Sequence, residues 1–181
     1  MATARTGTFY LTETVTLPAG TVAAGRIQGT IDLGAYVNVP TGQAIAVDQV
    51  DFILQSGADN SARLQGMVTG NAAIAMQLTD LNPGTSLVRA SNQSLIASGS
   101  IQIDQTNNIG TMVTDLFPDN FGKLNEAFMV VNDTLYLVWG IDGANVSVED
   151  LHVTVRVRAQ VVKLSQENWM AIAIQSTASD N

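Results

Sequence analysis

Leu151-His152-Val153-Thr154-Val155-Arg156-Val157-Arg158-Ala159-Gln160-Val161 is the stretch on which the fold turns. Its odd positions are apolar and its even positions are polar or charged. Successive side chains leave a strand on opposite faces, whereas helical spacing would scatter these residues around an axis. Eleven residues at this regularity read as one long strand with a buried face and a solvated one.

The same period appears on either side of it. Phe9, Leu11, Val15 and Leu17 alternate with Tyr10, Thr12, Thr14 and Thr16 before Pro18-Ala19-Gly20 breaks the run, and Ile27, Ile31 and Leu33 define a second strand. From Ala44 to Gln55 the parity changes: Ile45 and Val47 share one phase, while Val50, Phe52 and Leu54 share the other. A slip of one residue would turn an apolar set to water, so a bulge at Asp48-Gln49 is predicted. Further strands are expected at 73–79 and 95–104. The segments 128–131 and 135–139 flank Asn132-Asp133, a two-residue hairpin signal. Pro118–Asn125 could form a single short helical turn. Trp169–Gln175 fits either a short helix or a last strand, and the alternation of Met170, Ile172 and Ile174 against Trp169, Ala171 and Ala173 favours the strand. Eight to ten strands without alternating helices predict an all-β antiparallel sandwich of jelly-roll type, as one domain over residues 1–181.

Composition narrows the function. The 181 residues carry a net charge of −8, with twelve Asp, four Glu, and only Lys123 and Lys163 as lysines. That balance argues against direct nucleic-acid binding, which needs a positive footprint. Many aspartates with few lysines suit a surface adapted to high salt, although a charged share of 13% points the other way. Cysteine is absent, which excludes disulfides and thiolate metal sites. The first residues, Met1-Ala2-Thr3-Ala4-Arg5-Thr6-Gly7, lack the apolar core of a secretory leader, so synthesis and folding in the cytoplasm are expected. No apolar run is long enough to span a bilayer.

Catalytic constellations are hard to assemble. His152 is the sole histidine, so any Ser-His-Asp arrangement must use it, and zinc would lack its usual ligands. Carboxylate pairs at Asp48/Asp51, Asp115/Asp119 and Glu149/Asp150 are the candidates for glycosidase chemistry, without the Trp and Tyr platforms that sugars use. Asp142-Gly143-Ala144-Asn145 with Glu149-Asp150 could supply oxygen ligands to calcium, but the spacing fails the EF-hand pattern. No enzyme activity, cofactor or metal is therefore expected.

Two features point to contact surfaces instead. His152, Arg156 and Arg158 share the polar face of the long strand, either pairing with nearby aspartates or meeting an acidic subunit or a lipid head group. In Thr134–Ile141 both parities are apolar, and Trp169–Ile174 is similarly two-faced. Tyr136, Val138 and Trp169 are thus candidate interface residues, unless the two segments cover each other.

Leaderless, cysteine-free chains of this length, rich in Thr, Asn, Gln and Val, resemble single jelly-roll viral coat proteins. Val47-Asp48-Gln49-Val50-Asp51-Phe52-Ile53-Leu54 and Leu151–Lys163 read like jelly-roll strands. The acidic, lysine-poor composition is similar to that of the smaller major capsid protein of icosahedral, internal-membrane viruses of halophilic archaea. The resemblance implies an upright eight-stranded jelly roll in the virion. It also implies packing with copies of itself and a second, larger coat protein over internal membrane lipid. The alternative is a binding module, a spike, adhesin or lectin-like domain, using the loops Ser56–Arg63, Asn82–Ser86 and Gln105–Gly110.

Overall fold

The computed structural model describes residues 2–114 and 127–177. Among the described residues ten strands and one α-helix follow in order: β1 (Thr3–Ala4), β2 (Phe9–Leu17), β3 (Arg26–Asp32), β4 (Gln43–Ser56), β5 (Ala72–Thr79), β6 (Leu95–Asp104), β7 (Ile109–Thr114), β8 (Phe128–Val130), β9 (Thr134–Asp142), β10 (Leu151–Lys163) and α1 (Gln166–Thr177). They form two five-stranded antiparallel sheets. The first runs β1-β10-β4-β8, with β2 also paired to β10; the second runs β3-β9-β5-β6-β7.

The pairing has a simple logic. Leaving aside the short β1 and the extra edge strand β7, the eight remaining strands pair first with last, second with seventh, third with sixth and fourth with fifth. These pairs are β2 with β10, β3 with β9, β4 with β8, and β5 with β6. A long ribbon so paired, then wrapped until β10 meets β4 and β5 meets β9, is a jelly roll.

The long strand lies at the centre of the first sheet. Leu151, Val153, Val155, Val157 and Ala159 are completely buried, facing Ile74, Met76, Leu78, Leu135, Leu137 and Trp139 from the second sheet within one core. The bulge falls where the parity changes: Arg158 pairs with Gln49 and Ala159 with Val47, which leaves Asp48 as the extra residue. Ile45 and Val47 before it and Phe52 and Leu54 after it consequently all reach the core.

Several expectations are corrected. Asn132-Asp133 does not close a hairpin, because β8 pairs with β4 in one sheet while β9 pairs with β3 and β5 in the other. The turn carries the chain across the sandwich, and Val130 and Val131 are both buried on the way. β7 is an unanticipated strand, since Ile109, Met112 and Val113 keep no single parity.

The segment after β10 is a helix, not a strand. Ser165 caps it, its Oγ accepting from the Asn168 N–H at 3.3 Å, and Glu167 sits in the first turn, where the helix dipole favours a negative charge. Trp169, Ile172 and Ala173, spaced i, i+3, i+4, lie over a patch of the first sheet's outer face built from Ala44, Ala46 and Val162. The predicted turn at Pro118–Asn125 lies outside the described residues.

The outer face of the second sheet is covered from within the chain. Val138 lies between Gln28 of β3 and Gln77 of β5. Gln28 Nε2 donates to Asn82 Oδ1 and Gly84 O, and the Gln77 amide both donates to Val88 O and accepts from Val88 N. The 81–94 loop is thereby held across this face and Val138 is 1% exposed. At the base of that loop Asp80 is also buried. Its main-chain N–H donates to Ser94 O, Asn132 Nδ2 donates to its carbonyl at 2.9 Å and to Oδ2 at 3.4 Å, and Oδ1 has no hydrogen-bond partner. Burial pushes its pKa up to about 6.

Candidate functional site

The outward parity of β10 sets His152, Arg156 and Arg158 on the outer face of the first sheet, as the alternation predicts. Around them, β2 contributes Tyr10, Thr12, Thr14 and Thr16, and β4 contributes Gln49, Asp51 and Gln55. His152 Nδ1 shares a 2.8 Å hydrogen bond with Thr16 Oγ1, so the only imidazole is engaged by a threonine hydroxyl. Arg156 stands between Thr12 and Asp51 in the register, and Arg158 between Tyr10 and Gln49. Neither arginine forms an ion pair among the described residues, and the Arg158 Nε is buried without a hydrogen-bond partner. Asp51 instead accepts from Gln49 Nε2 at 2.9 Å. The pairing of these arginines with neighbouring aspartates is not found, and guanidinium donors remain available on this face.

The apolar interface candidates separate. Val138 is buried by its own 81–94 loop, so its burial needs no neighbouring subunit. Tyr136 is half-buried on the same sheet, and half-buried Trp169 sits on α1 against the other. The two-faced segments therefore do not cover each other.

Several of the carboxylate and calcium candidates have protein partners. Asp142 holds Arg26 in a two-point ion pair at 2.7 and 2.8 Å, Asn145 Oδ1 accepts from the Ala23 N–H, and Asp150 Oδ1 accepts from the Ala19 N–H. Asp48 is at the bulge while Asp51 stands on the outer sheet face. Asp115 and Asp119 lie outside the described residues. No group of three His, Asp or Glu side chains suited to a metal ion occurs among the described residues. The three loops considered for a binding module do not converge. Gln105 Nε2 donates to Leu64 O and Val68 O, which joins 105–110 to the chain just beyond Arg63, whereas Asn82–Ser86 lies on the second sheet's face.

A different site emerges at the far end of β10. A cavity of about 770 Å³ opens between the Val39–Thr41 turn, the end of β10 and the first turn of α1. Arg5 and Lys163 line it together with Gln43, Gln166 and Trp169. β1 brings Arg5 here by pairing Thr3 with Lys163, and the Arg5 N–H donates to Val161 O. Gly42, in the left-handed region at φ 68°, turns the chain where a Cβ would strike the Leu164 carbonyl. The Trp169 Nε1 is buried with no acceptor. Sequence reasoning missed this site because its residues lie some 160 positions apart in the chain. The legible signal was the Ser165 cap with Glu167 two residues on.

Surface apolar side chains gather in two places. Ile109, Met112 and Val113 of the edge strand β7 are each about half exposed, as are Met170 and Ile174 of α1. No helix among the described residues is long and apolar enough to cross a membrane.

No family model and no curated protein matches the sequence. Among solved structures, the chain is similar to one from Desmodium yellow mottle tymovirus, at 9% identity with a TM-score of 0.33, covering 88% of this chain and 90% of that one. It is also similar to one from turnip yellow mosaic virus, at 9% identity with a TM-score of 0.30, covering 85% of this chain and 96% of that one.

Proposed function

We propose that this chain is a structural coat subunit that packs with copies of itself, and with a second coat protein, into an icosahedral viral shell. Jelly rolls serve coats, lectins and enzymes alike, so the fold alone does not choose among them. The observation that carries the reading is the placement of exposed apolar side chains on both sheets, at the edge strand β7 and on α1. An edge strand with exposed apolar side chains and no further strand partner among the described residues is a template for another chain, and monomeric proteins seldom keep such surface uncovered. In this reading the subunit works by packing rather than by catalysis, in the virion after synthesis in the host cytoplasm.

The finer assignment, to the smaller coat protein of internal-membrane viruses of halophilic archaea, is supported by the acidic, lysine-poor composition. The outer-face donors Arg156 and Arg158 suit an acidic neighbour or membrane phosphate. The test is light scattering and electron microscopy of the purified chain over a range of salt, alone and co-expressed with a candidate second coat protein. Discrete oligomers or shells are expected. A strict monomer under every condition overturns the proposal.

A further inference from the structure

We propose that the Arg5–Lys163 cavity receives the Val148-Glu149-Asp150 turn of a second copy of this chain, joining subunits head to tail. The inference rests on the coat-subunit reading and specifies one of its contacts.

The cavity is made for an anion with an apolar flank. Two of the eight basic side chains line it, and among the described residues no carboxylate does. Neither forms an ion pair among the described residues. Its cationic donors are the Arg5 guanidinium and the Lys163 ammonium, beside the first turn of a twelve-residue helix. Val39, Pro40 and Met170 supply apolar wall, with Val39 and Met170 more than half exposed. A pocket lined by two cations, inside a chain of net charge −8, calls for an acidic occupant.

The matching surface is on the same molecule, at the other end of the same strand. Val148 is 86% exposed, the most exposed large apolar residue among the described ones, and exposed Glu149 and Asp150 follow it directly. Asp59 approaches the same spot, since a Cβ on Gly57 would meet both Glu149 Oε2 and Asp59 Oδ1. None of these carboxylates has a basic partner among the described residues.

The two surfaces cannot meet within one subunit. β10 runs from Leu151 to Lys163, and at about 3.3 Å per residue it holds them about 40 Å apart. Between copies, an acidic apolar turn at one end and a basic apolar pocket at the other give a heterologous contact. Repeated, such a contact builds rings or open arrays.

The chemistry of the chain makes the test selective, because Lys123 and Lys163 are its only lysines. Carbodiimide coupling of the assembled, unaltered protein, read by peptide mass spectrometry, is expected to join Lys163 to Glu149 or Asp150 in oligomer bands and not in monomer. Oligomers in which Lys163 is joined elsewhere, or not at all, overturn the contact. Lys163→Glu and Glu149→Lys, each folded by circular dichroism, should each weaken self-association about tenfold or more by placing like charges together. Mixed, the two variants should associate again, since every interface in an alternating array pairs opposite charges. Equal assembly of both single variants and the unaltered chain would refute the head-to-tail contact and leave the coat reading intact. An unaltered chain that never assembles, even with its coat partner, defeats the coat reading itself. Lys163-dependent binding to phosphatidylglycerol vesicles, with assembly unchanged by either variant, assigns the pocket to lipid phosphate and overturns the proposal.

Discussion

Asp80→Asn isolates the energetic consequence of one buried carboxyl. In the folded chain burial pushes the Asp80 pKa from 3.8 to about 6, against the opposing help of its own main chain and Asn132. A raised pKa means that the fold favours the protonated form. The associated stability is complete below pH 3.8 and is lost as pH rises through about 6. A difference of about two pKa units at about 1.4 kcal/mol each gives about 3 kcal/mol over the whole window, of which about 2 kcal/mol falls between pH 4.5 and 8. Asparagine has no such ionisation. Urea unfolding of both proteins at pH 4.5, 6 and 8 should therefore show the unaltered chain losing about 2 kcal/mol more than the variant as pH rises. How well the amide itself fits beside Asn132 cancels in this difference, because it is the same at every pH. Parallel stability curves would refute the reasoning, and would mean that water or a rearranged loop solvates Oδ1.

Three further outcomes follow from the packing. Deleting Asp48 removes the bulge, so either Ile45 and Val47 or Phe52 and Leu54 must face water. With about 1.5–3 kcal/mol for each displaced side chain, loss of cooperative thermal unfolding is expected by circular dichroism. Gly140→Ala puts a methyl group into the Gly25 carbonyl and the Arg26 side chain of the neighbouring strand. It should cost about 2–4 kcal/mol in denaturant unfolding, whereas alanine at Gly7, which has open space around it, should cost less than about 1 kcal/mol. Ending the chain at Ser165 removes α1 and bares the patch around Ala44, Ala46 and Val162; increased binding of a hydrophobic dye and aggregation are expected.

The strands were legible because one-sided burial imposes a period of two, and β10, β2 and β4 obey it almost without exception. The bulge was legible for the same reason, since a change of parity inside one apolar run has few remedies. Asn132-Asp133 misled because its turn chemistry is local, while the partners of β8 and β9 are chosen by long-range pairing on opposite sheets. Trp169–Gln175 misled because alternating Ile and Ala satisfy both periods over so few residues. The Ser165 cap and the small patch waiting at Ala44 and Ala46 decide for a helix. His152, Arg156 and Arg158 stood where the alternation placed them. The Arg5–Lys163 cavity did not show, because nothing in either local sequence announces that the first strand ends beside the last.

That pairing of first strand with last also governs timing. While the chain is being made, β2 and β4 wait with bare edges for β10, and both find it only once residues 151–163 have left the ribosome. Closure of the first sheet is thus a late event built from the most distant contacts available, the circumstance that slows folding and lengthens exposure to misassembly. A cell producing many copies at once would have to keep these unfinished ribbons apart until each has caught its own final strand.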